Sequence, residues 1–439
     1  MKINAHLDVD MVAIESTDSV TVMLELEAPP APATESPRPE HTAVVVLDRS
    51  GSMSGGRLTA AKRALIDLVG RLDDRDRFGL VAFDDEAVVA VPANRLGDLG
   101  RDRIRRAIAG IDPGGATDLS SGYLRGLQEA RRVATAAGAT VLLLSDGHAN
   151  SGVTDPTQLR GVAARAAARG VTTSTIGIGL GYDEAILAEV AIGGTGNHAF
   201  AQDPDDAAAA VAGEIEGLLS KTVQAANLLI APTNDVSAVT ILNDVVANRV
   251  EGGILVELGD FYAGEQRRIT CTIDVPAMAA LGLTQVATLT LTHVEVATLE
   301  QHVVTLPVTV NVVPQDVARG RVASPEVTRE KLFLAAQSAK RSVEQALRSG
   351  DVQSARARLN QASALLTSAD MDELGEELSN EVGWLNSTAD MLDDTVVGAP
   401  PDIAYASRRV SSDRTRKSRG YKSRSQGGET TSQDSEEEA

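Results

Sequence analysis

The first periodic pattern in the chain is an alternation of apolar and polar residues. Every second residue from Val20 to Leu26 is apolar, and the residues between them are mostly polar. A period of two is typical of a strand with one buried face, so we predict a strand over residues 19–27. Residues 28–40 are rich in proline and have no periodicity, which indicates a surface linker.

From about residue 41 the pattern changes to short, fully apolar runs that alternate with amphipathic segments. The apolar runs predict strands at 43–47, 78–83, 140–144 and 173–178. The amphipathic segments predict helices at about 57–72, 119–136, 156–169 and 204–220. Buried strands joined by helical crossovers favour a doubly wound, mostly parallel sheet covered on both faces, and we assign this α/β domain to residues 41–220.

Residues 221–313 return to alternating strands without helices, which predicts an antiparallel β-sandwich. Residues 1–28 carry the same pattern but are too few to form a domain. We therefore expect them to supply the first strands of this sandwich, with the α/β domain inserted into it.

A helical pattern follows the predicted sandwich and covers residues 325–395. Breaks expected at Gly350-Asp351 and Ala369-Asp370 divide it into two or three antiparallel helices, a helical hairpin region. Residues 399–439 contain a basic block and then an acidic end, with few apolar residues. Such a segment cannot bury enough apolar surface to fold, so we predict a disordered tail with an interaction or regulatory role.

Composition narrows the classes of partner. The formal net charge is −20, which disfavours nucleic acid and anionic lipid and suits basic partners or cations. The one cysteine, Cys271, excludes an internal disulfide framework and fits a reducing compartment; its alternating surroundings indicate a small core residue. The sequence has no secretory signal pattern and no apolar run that could span a bilayer, so we expect a cytoplasmic protein without membrane insertion.

Oxygen-bearing side chains follow the predicted strands at positions that can converge. Asp48, Ser50 and Ser52 alternate directly after the first apolar strand, Thr117 lies in a glycine-rich loop, and Asp146 follows a third strand. Ligand sites in this architecture lie at the carboxyl ends of the strands. Five hard oxygen groups suit Mg²⁺, or else Mn²⁺ or Ca²⁺, better than zinc.

The segments DRSGSM, GGATDL and LSDG together resemble the metal-ion-dependent adhesion site of von Willebrand factor A-type domains. The resemblance implies a bacterial type of protein with this domain plus a β-sandwich, in which Asp48, Ser50, Ser52, Thr117 and Asp146 contact the metal. It also implies a non-enzymatic scaffold or adaptor whose protein partner supplies an Asp or Glu to the ion. The run LGDFYAGE at 258–265 is similar to a segment in the sandwich that follows such domains in many bacterial and some plant proteins.

Other functions remain open from the sequence. The same domain occurs in subunits that serve AAA+ ATPases of the MoxR or chelatase type, which is the alternative to an adaptor. A hydrolase would need a base near the metal, and the sequence offers only His148. The run 177–181 lacks the full GxGxxG spacing, so we interpret it as a tight turn and not a dinucleotide loop. We expect the acidic run 84–86 to be a solvated hairpin or loop.

Overall fold

The computed structural model describes most of the chain up to residue 394. The described residues are 1–31, 40–146, 149–178, 184–201, 213–214, 217, 220–233, 236, 238–277, 281–367 and 371–394. Several predicted features fall outside them: Gly147-His148, residues 179–183, Ala369-Asp370, the tail 399–439 and most of the predicted helix 204–220.

The chain begins with three strands, and the third matches the predicted alternating segment. These are β1 (Lys2–Leu7), β2 (Met11–Ala13) and β3 (Asp18–Glu27). β1 and β3 pair as antiparallel neighbours, and Val20, Val22, Leu24 and Leu26 of β3 are buried.

Residues 42–201 form an α/β domain around a six-stranded sheet. The strands are β4 (Thr42–Asp48), β5 (Arg77–Phe83), β6 (Ala87–Arg95), β7 (Ala139–Ser145), β8 (Val171–Ile178) and β9 (Thr195–Ala201). The helices are α1 (Gly56–Arg71), α2 (Leu96–Leu99), α3 (Arg101–Ala109), α4 (Leu119–Val133), α5 (Pro156–Ala167) and α6 (Glu184–Gly193). The strand order is β6-β5-β4-β7-β8-β9, and only β6 runs antiparallel to its neighbour. Helices α1 and α3 share a core with one face, and α4 and α5 with the other, which confirms the predicted α/β class.

The segment between β5 and α4 has more regular structure than the sequence pattern predicted. The run 84–86 forms the predicted hairpin, but it leads into β6, and Asp84 is buried, not solvated. Pro92 and a register shift near it interrupt the alternation of β6. Helix α3 is only nine residues long and buries only Ile104 and Ile108, so it lacks the long apolar stripe by which α1, α4 and α5 were predicted.

The strands after the α/β domain form two sheets with β1, β2 and β3. They are β10 (Lys221–Pro232), β11 (Ala238–Ile241), β12 (Val246–Val250), β13 (Gly253–Tyr262), β14 (Gln266–Val275), β15 (Gly282–Glu295) and β16 (Gln301–Val313). One sheet has the order β1-β3-β14-β11 and the other β12-β13-β10-β15-β16-β2. The sheets share one apolar core that includes Val22 of the first sheet, Ile230 of the second and the buried Cys271. Pairing is antiparallel except between β16 and β2, where the strands run parallel, unlike the purely antiparallel arrangement we expected.

The chain continues into a short helix and then three long ones that pack together. They are α7 (Gln315–Ala318), α8 (Pro325–Arg348), α9 (Val352–Thr367) and α10 (Met371–Asp394). Gly350, with φ of 75°, lies at the break between α8 and α9, as predicted for Gly350-Asp351. None of the helices in the described part of the chain is long and apolar enough to cross a membrane.

The LGDFYAGE segment joins the α/β domain to the strands that follow it. A Cβ atom on Gly259 would lie 2.5 Å from the Thr195 hydroxyl of β9, so only glycine allows this approach. The Tyr262 hydroxyl donates to Glu214 Oε1 at 3.0 Å, and Glu214 also accepts from Ser174 at 2.5 Å and from Asn197 at 2.9 Å. Burial, together with the Glu214 charge, raises the pKa of Tyr262 well above its usual range, so the hydroxyl keeps its proton.

We expect Tyr262→Phe to lower the free energy of unfolding by about 1.5 kcal/mol, because the lost hydrogen bond has a charged acceptor. Urea denaturation measures this. The matched control is Tyr123→Phe, which loses a neutral bond of 2.9 Å to Thr173 and should cost only about 1 kcal/mol or less. A larger loss of unfolding free energy for Tyr123→Phe than for Tyr262→Phe would mean that the bond from Tyr262 to Glu214 contributes little to stability.

Candidate metal centre

The predicted ligands lie at one edge of the six-stranded sheet. Strands β4 and β7 are parallel neighbours, with Leu47 opposite Leu144, so Asp48 and Asp146 follow the same edge. After Asp48 the chain makes a short 3-10 turn, Gly51–Met53, before α1 begins. Ser50 directly precedes this turn and Ser52 lies within it, so both predicted serine ligands follow the end of β4.

Hydrogen bonds join four of the five predicted ligands into one cluster. Asp48 Oδ1 accepts from the backbone N–H of Ser50 at 2.8 Å. The Ser50 and Ser52 hydroxyl oxygens are 3.1 Å apart, and the Ser52 hydroxyl donates to Asp146 Oδ1 at 2.8 Å. The side-chain oxygens of residues that are far apart in sequence therefore meet at the sheet edge.

Asp48 is fully buried, and its second carboxylate oxygen also accepts a hydrogen bond. Ser145, the last residue of β7, donates its hydroxyl to Asp48 Oδ2 at 2.5 Å. Burial raises the pKa of Asp48, and the nearby charge of Asp146 adds to the rise, although the hydrogen bonds from Ser145 and Ser50 oppose it. The buried carboxylate is thus only partly stabilised by its protein neighbours.

Thr117 reaches the same edge through its backbone. Its N–H donates to Asn150 Oδ1 at 2.9 Å, and its carbonyl accepts from the Asn150 N–H at 3.1 Å. The loop before it is fixed by bonds from Gly114 N to Arg49 O at 2.6 Å and from Gly51 N to Gly115 O at 3.0 Å. Within the described residues, no hydrogen bond joins the Thr117 side chain to the other four predicted ligands.

Asp84 supports this loop from the neighbouring strand. Its carboxylate pairs with Arg49 at 2.9 Å, and a Cβ atom on Gly114 would lie 1.7 Å from Asp84 Oδ2. Burial alone would raise the pKa of Asp84, but the Glu86 N–H, the Arg49 charge and the Gly115 N–H lower it. Glycine at 114 therefore lets the loop close over a charged carboxylate, a role that the sequence pattern did not indicate.

A second residue that the sequence did not indicate is Arg57, in the first turn of α1. Its Nη1 atom donates to Asp146 Oδ2 at 2.5 Å and to the Ser52 carbonyl at 3.2 Å. The Asp146 side chain is fully buried, whereas that of Arg57 is 40% exposed. A positive charge from the protein therefore lies against one of the predicted metal ligands.

The donor set fits a hard divalent cation. The cluster offers two carboxylates and two serine hydroxyls, with Thr117 on the adjoining loop, and these are the oxygen types that Mg²⁺, Mn²⁺ and Ca²⁺ take in proteins. Within the described residues, no group of three or more His, Cys, Asp or Glu side chains is arranged to hold a metal ion. His148, the base that a hydrolase would need, lies outside those residues.

Comparison with known proteins identifies the class of the α/β domain. Residues 43–212 match the family described as von Willebrand factor type A domain, and this segment of the chain is such a domain. A solved structure described as von Willebrand factor type A from Catenulispora acidiphila superimposes with a TM-score of 0.69. The superposition covers 89% of this chain and 88% of that one at 20% identity, so it shows a common fold.

Two bacterial proteins are similar to this chain in sequence. YfbK of Escherichia coli K12, an uncharacterised protein, is 29% identical over 184 residues, which cover 41% of this chain and 32% of YfbK. The uncharacterised protein sll0103 of Synechocystis is 29% identical over 163 residues, which cover 37% of this chain and 38% of sll0103. The matches span only about a third of these relatives' own lengths.

Proposed function

We propose that this protein is an adaptor that binds a partner protein through a divalent cation held by Asp48, Ser50, Ser52, Thr117 and Asp146. The observation that supports it most is the hydrogen-bonded cluster of Asp48, Ser50, Ser52 and Asp146 at the sheet edge. Groups that already contact one another need little rearrangement to surround an ion.

The charges of the cluster suit an incomplete coordination shell. When bound, the cation offers an electrophilic position to an incoming carboxylate. Asp48 and Asp146 are the only charged members of the ligand set, and the three hydroxyls add no charge. The two carboxylates equal the formal charge of a divalent ion, but Asp146 also pairs with the Arg57 guanidinium, so the site keeps an excess positive charge. A partner's Asp or Glu would balance that charge, which is why we propose an acidic residue at the centre of the contact.

Affinity purification of the full chain in Mg²⁺ and in excess chelator, followed by mass spectrometry, tests the proposal. We expect a protein partner that is retained with Mg²⁺ and lost with chelator. A partner held equally well in both conditions contradicts a metal-mediated contact. Recovery of an AAA+ ATPase as the main metal-dependent partner would favour the alternative of a subunit in such a complex.

Arg57 should weaken metal binding, because its guanidinium shares Asp146 with the ion. We expect Arg57→Ala to raise the affinity for Mg²⁺ about fivefold, the modest size reflecting the partial exposure of this ion pair. Calorimetric titration of Mg²⁺ measures the change.

Arg63→Ala is the matched control, since Arg63 is an exposed cation of the same helix without an ion-pair partner in the described part of the chain. An equal gain for both variants would show a general effect of net charge. An unchanged or lower affinity for Arg57→Ala would show that Arg57 does not compete with the ion.

A further inference from the structure

Helices α1 and α3 carry a concentration of positive charge that is unusual for this acidic chain. Together they contain eight Arg or Lys and two Asp, whereas the whole chain has a net charge of −20. Arg63, Arg71, Arg103, Arg105 and Arg106 are exposed. The surface of this helix pair therefore has the opposite sign to the molecule as a whole.

The two helices lie side by side and run in opposite directions. Lys62, near the middle of α1, donates to the carbonyl of Ala109 at the end of α3, at 3.0 Å. At the other end, Arg101 donates to the carbonyl of Leu72 at 2.6 Å. Along the chain, the end of the helix pair that contains Ala109 is the one that leads to the candidate metal centre, because α1 follows the Gly51–Met53 turn and α3 precedes the Thr117 loop.

Acidic side chains of the protein pair with only some of the basic residues of α1 and α3. Arg101 pairs with Asp74, and Arg105 pairs with Asp102 at 3.3 Å. Arg63, Arg71 and Arg103 have no ion-pair partner in the described ranges, and Arg106 donates to a backbone carbonyl, that of Asp102, at 3.2 Å. The structure thus leaves several guanidinium groups free to meet an external anion.

We propose that α1 and α3 form a docking strip for an acidic segment of the partner protein, which extends from the metal centre along Arg63, Arg103 and Arg106. This inference rests on the proposed function, because it gives the partner further carboxylates beyond the one that meets the cation. Charge complementarity selects the occupant: an acidic peptide is attracted to the strip, while a basic or neutral one gains nothing there. Helix α1 has 16 residues and is about 24 Å long, so an extended segment of about eight residues would cover it.

The test uses a fluorescent dodecapeptide of alternating Glu and Ser, with a Gln-for-Glu peptide as its neutral counterpart, and the full-length protein. We expect fluorescence anisotropy to show Mg²⁺-dependent binding of the acidic peptide only. The triple variant Arg63→Glu, Arg103→Glu, Arg106→Glu should bind it at least about tenfold more weakly at 0.15 M salt, and the loss should grow as the salt concentration falls.

The control variant carries Arg131→Glu, Arg165→Glu and Arg169→Glu, which make the same change in net charge on exposed residues of α4, α5 and the turn after α5. It should change the affinity less than about twofold, because the Debye length at this salt concentration is only about 8 Å. Circular dichroism checks that both variants are folded.

Equal losses in the two triple variants, no loss in the strip variant, or no binding of the acidic peptide by wild type would each overturn the docking strip. So would tighter, strip-dependent binding of duplex DNA, which would assign the surface to nucleic acid. Binding that depends on the strip but not on Mg²⁺ would support the strip and contradict the metal-mediated contact. Binding that depends on Mg²⁺ but not on the strip would do the reverse.

Discussion

Glu381→Gln is expected to lower the free energy of unfolding of the helices α8–α10 by about 3–5 kcal/mol. Lys340 and Glu381 are both fully buried and pair at 2.5 Å between α8 and α10. Replacing the carboxylate by an amide of the same shape removes the negative charge that Glu381 places against the buried Lys340 ammonium. The Coulomb attraction of this pair then no longer offsets the desolvation of the ammonium, which is the physical reason for so large an effect.

The fluorescence of the one tryptophan, Trp384 in α10, measures the unfolding of these helices. The Lys340 Nζ atom lies 4.2 Å from the centre of the Trp384 ring, so urea denaturation followed by tryptophan fluorescence observes these helices directly. Asp390→Asn is the matched control: it removes an exposed carboxylate from the same helix and should cost less than about 0.5 kcal/mol.

The double variant Lys340→Met, Glu381→Leu should recover most of the stability lost in Glu381→Gln, because both charges are removed together. If the single substitution costs no more than Asp390→Asn, water or another group must stabilise Lys340, and the pair does not hold the helices together.

Asp48→Asn is expected to weaken Mg²⁺ binding by about 100-fold or more, a larger effect than Thr117→Ala, which removes a neutral hydroxyl. The amide keeps the shape of a fully buried side chain but removes one of the two charges of the ligand set. The metal-free protein should unfold at the same temperature or higher, because burial already disfavours the carboxylate form of Asp48.

Calorimetric titration gives the affinities, and thermal unfolding gives an independent measurement. At a Mg²⁺ concentration 100 times the wild-type dissociation constant, wild type should gain about 2.7 kcal/mol of stability, whereas Asp48→Asn at the same concentration should gain about 0.4 kcal/mol or less. A wild-type protein with no thermal shift and no heat of binding at millimolar Mg²⁺ or Mn²⁺ would contradict the metal centre while leaving the domain assignment intact.

The α/β domain could be predicted because its strands are buried on both faces. Runs such as Val44–Leu47 are continuous and apolar, and amphipathic segments separate them. The hairpin to β6 and helix α3 were harder to predict. Pro92 interrupts the alternation of β6, and α3 is a nine-residue helix in which only Ile104 and Ile108 are buried among charged residues. Burial in these elements comes from the neighbouring sheet and helices, which a local pattern does not contain.

The site shows the same division between local and tertiary information. Asp48, Ser50 and Ser52 could be predicted as a group because they alternate within five residues after a strand. The bond from Ser145 to Asp48 exists because β4 and β7 are neighbours, and strand order cannot be inferred from either strand alone. The contact of Arg57 with Asp146 joins residues 89 positions apart. Nothing in the residues around Arg57 indicates which carboxylate it meets.

The pairing of β3 with β14 also has a consequence for how the protein is made. Ten residues of β3 pair with β14 in one register, from Asp18 with Val275 to Glu27 with Gln266. The ribosome must therefore add the 238 residues 28–265 after Glu27 before the first partner residue, Gln266, is synthesised. At about 5–20 residues per second this takes about 12–48 s, during which the edge of β3 that pairs with β14 has no partner strand. We expect nascent chains that stall in this interval to bind chaperones through β3, while the α/β domain behind it can already fold.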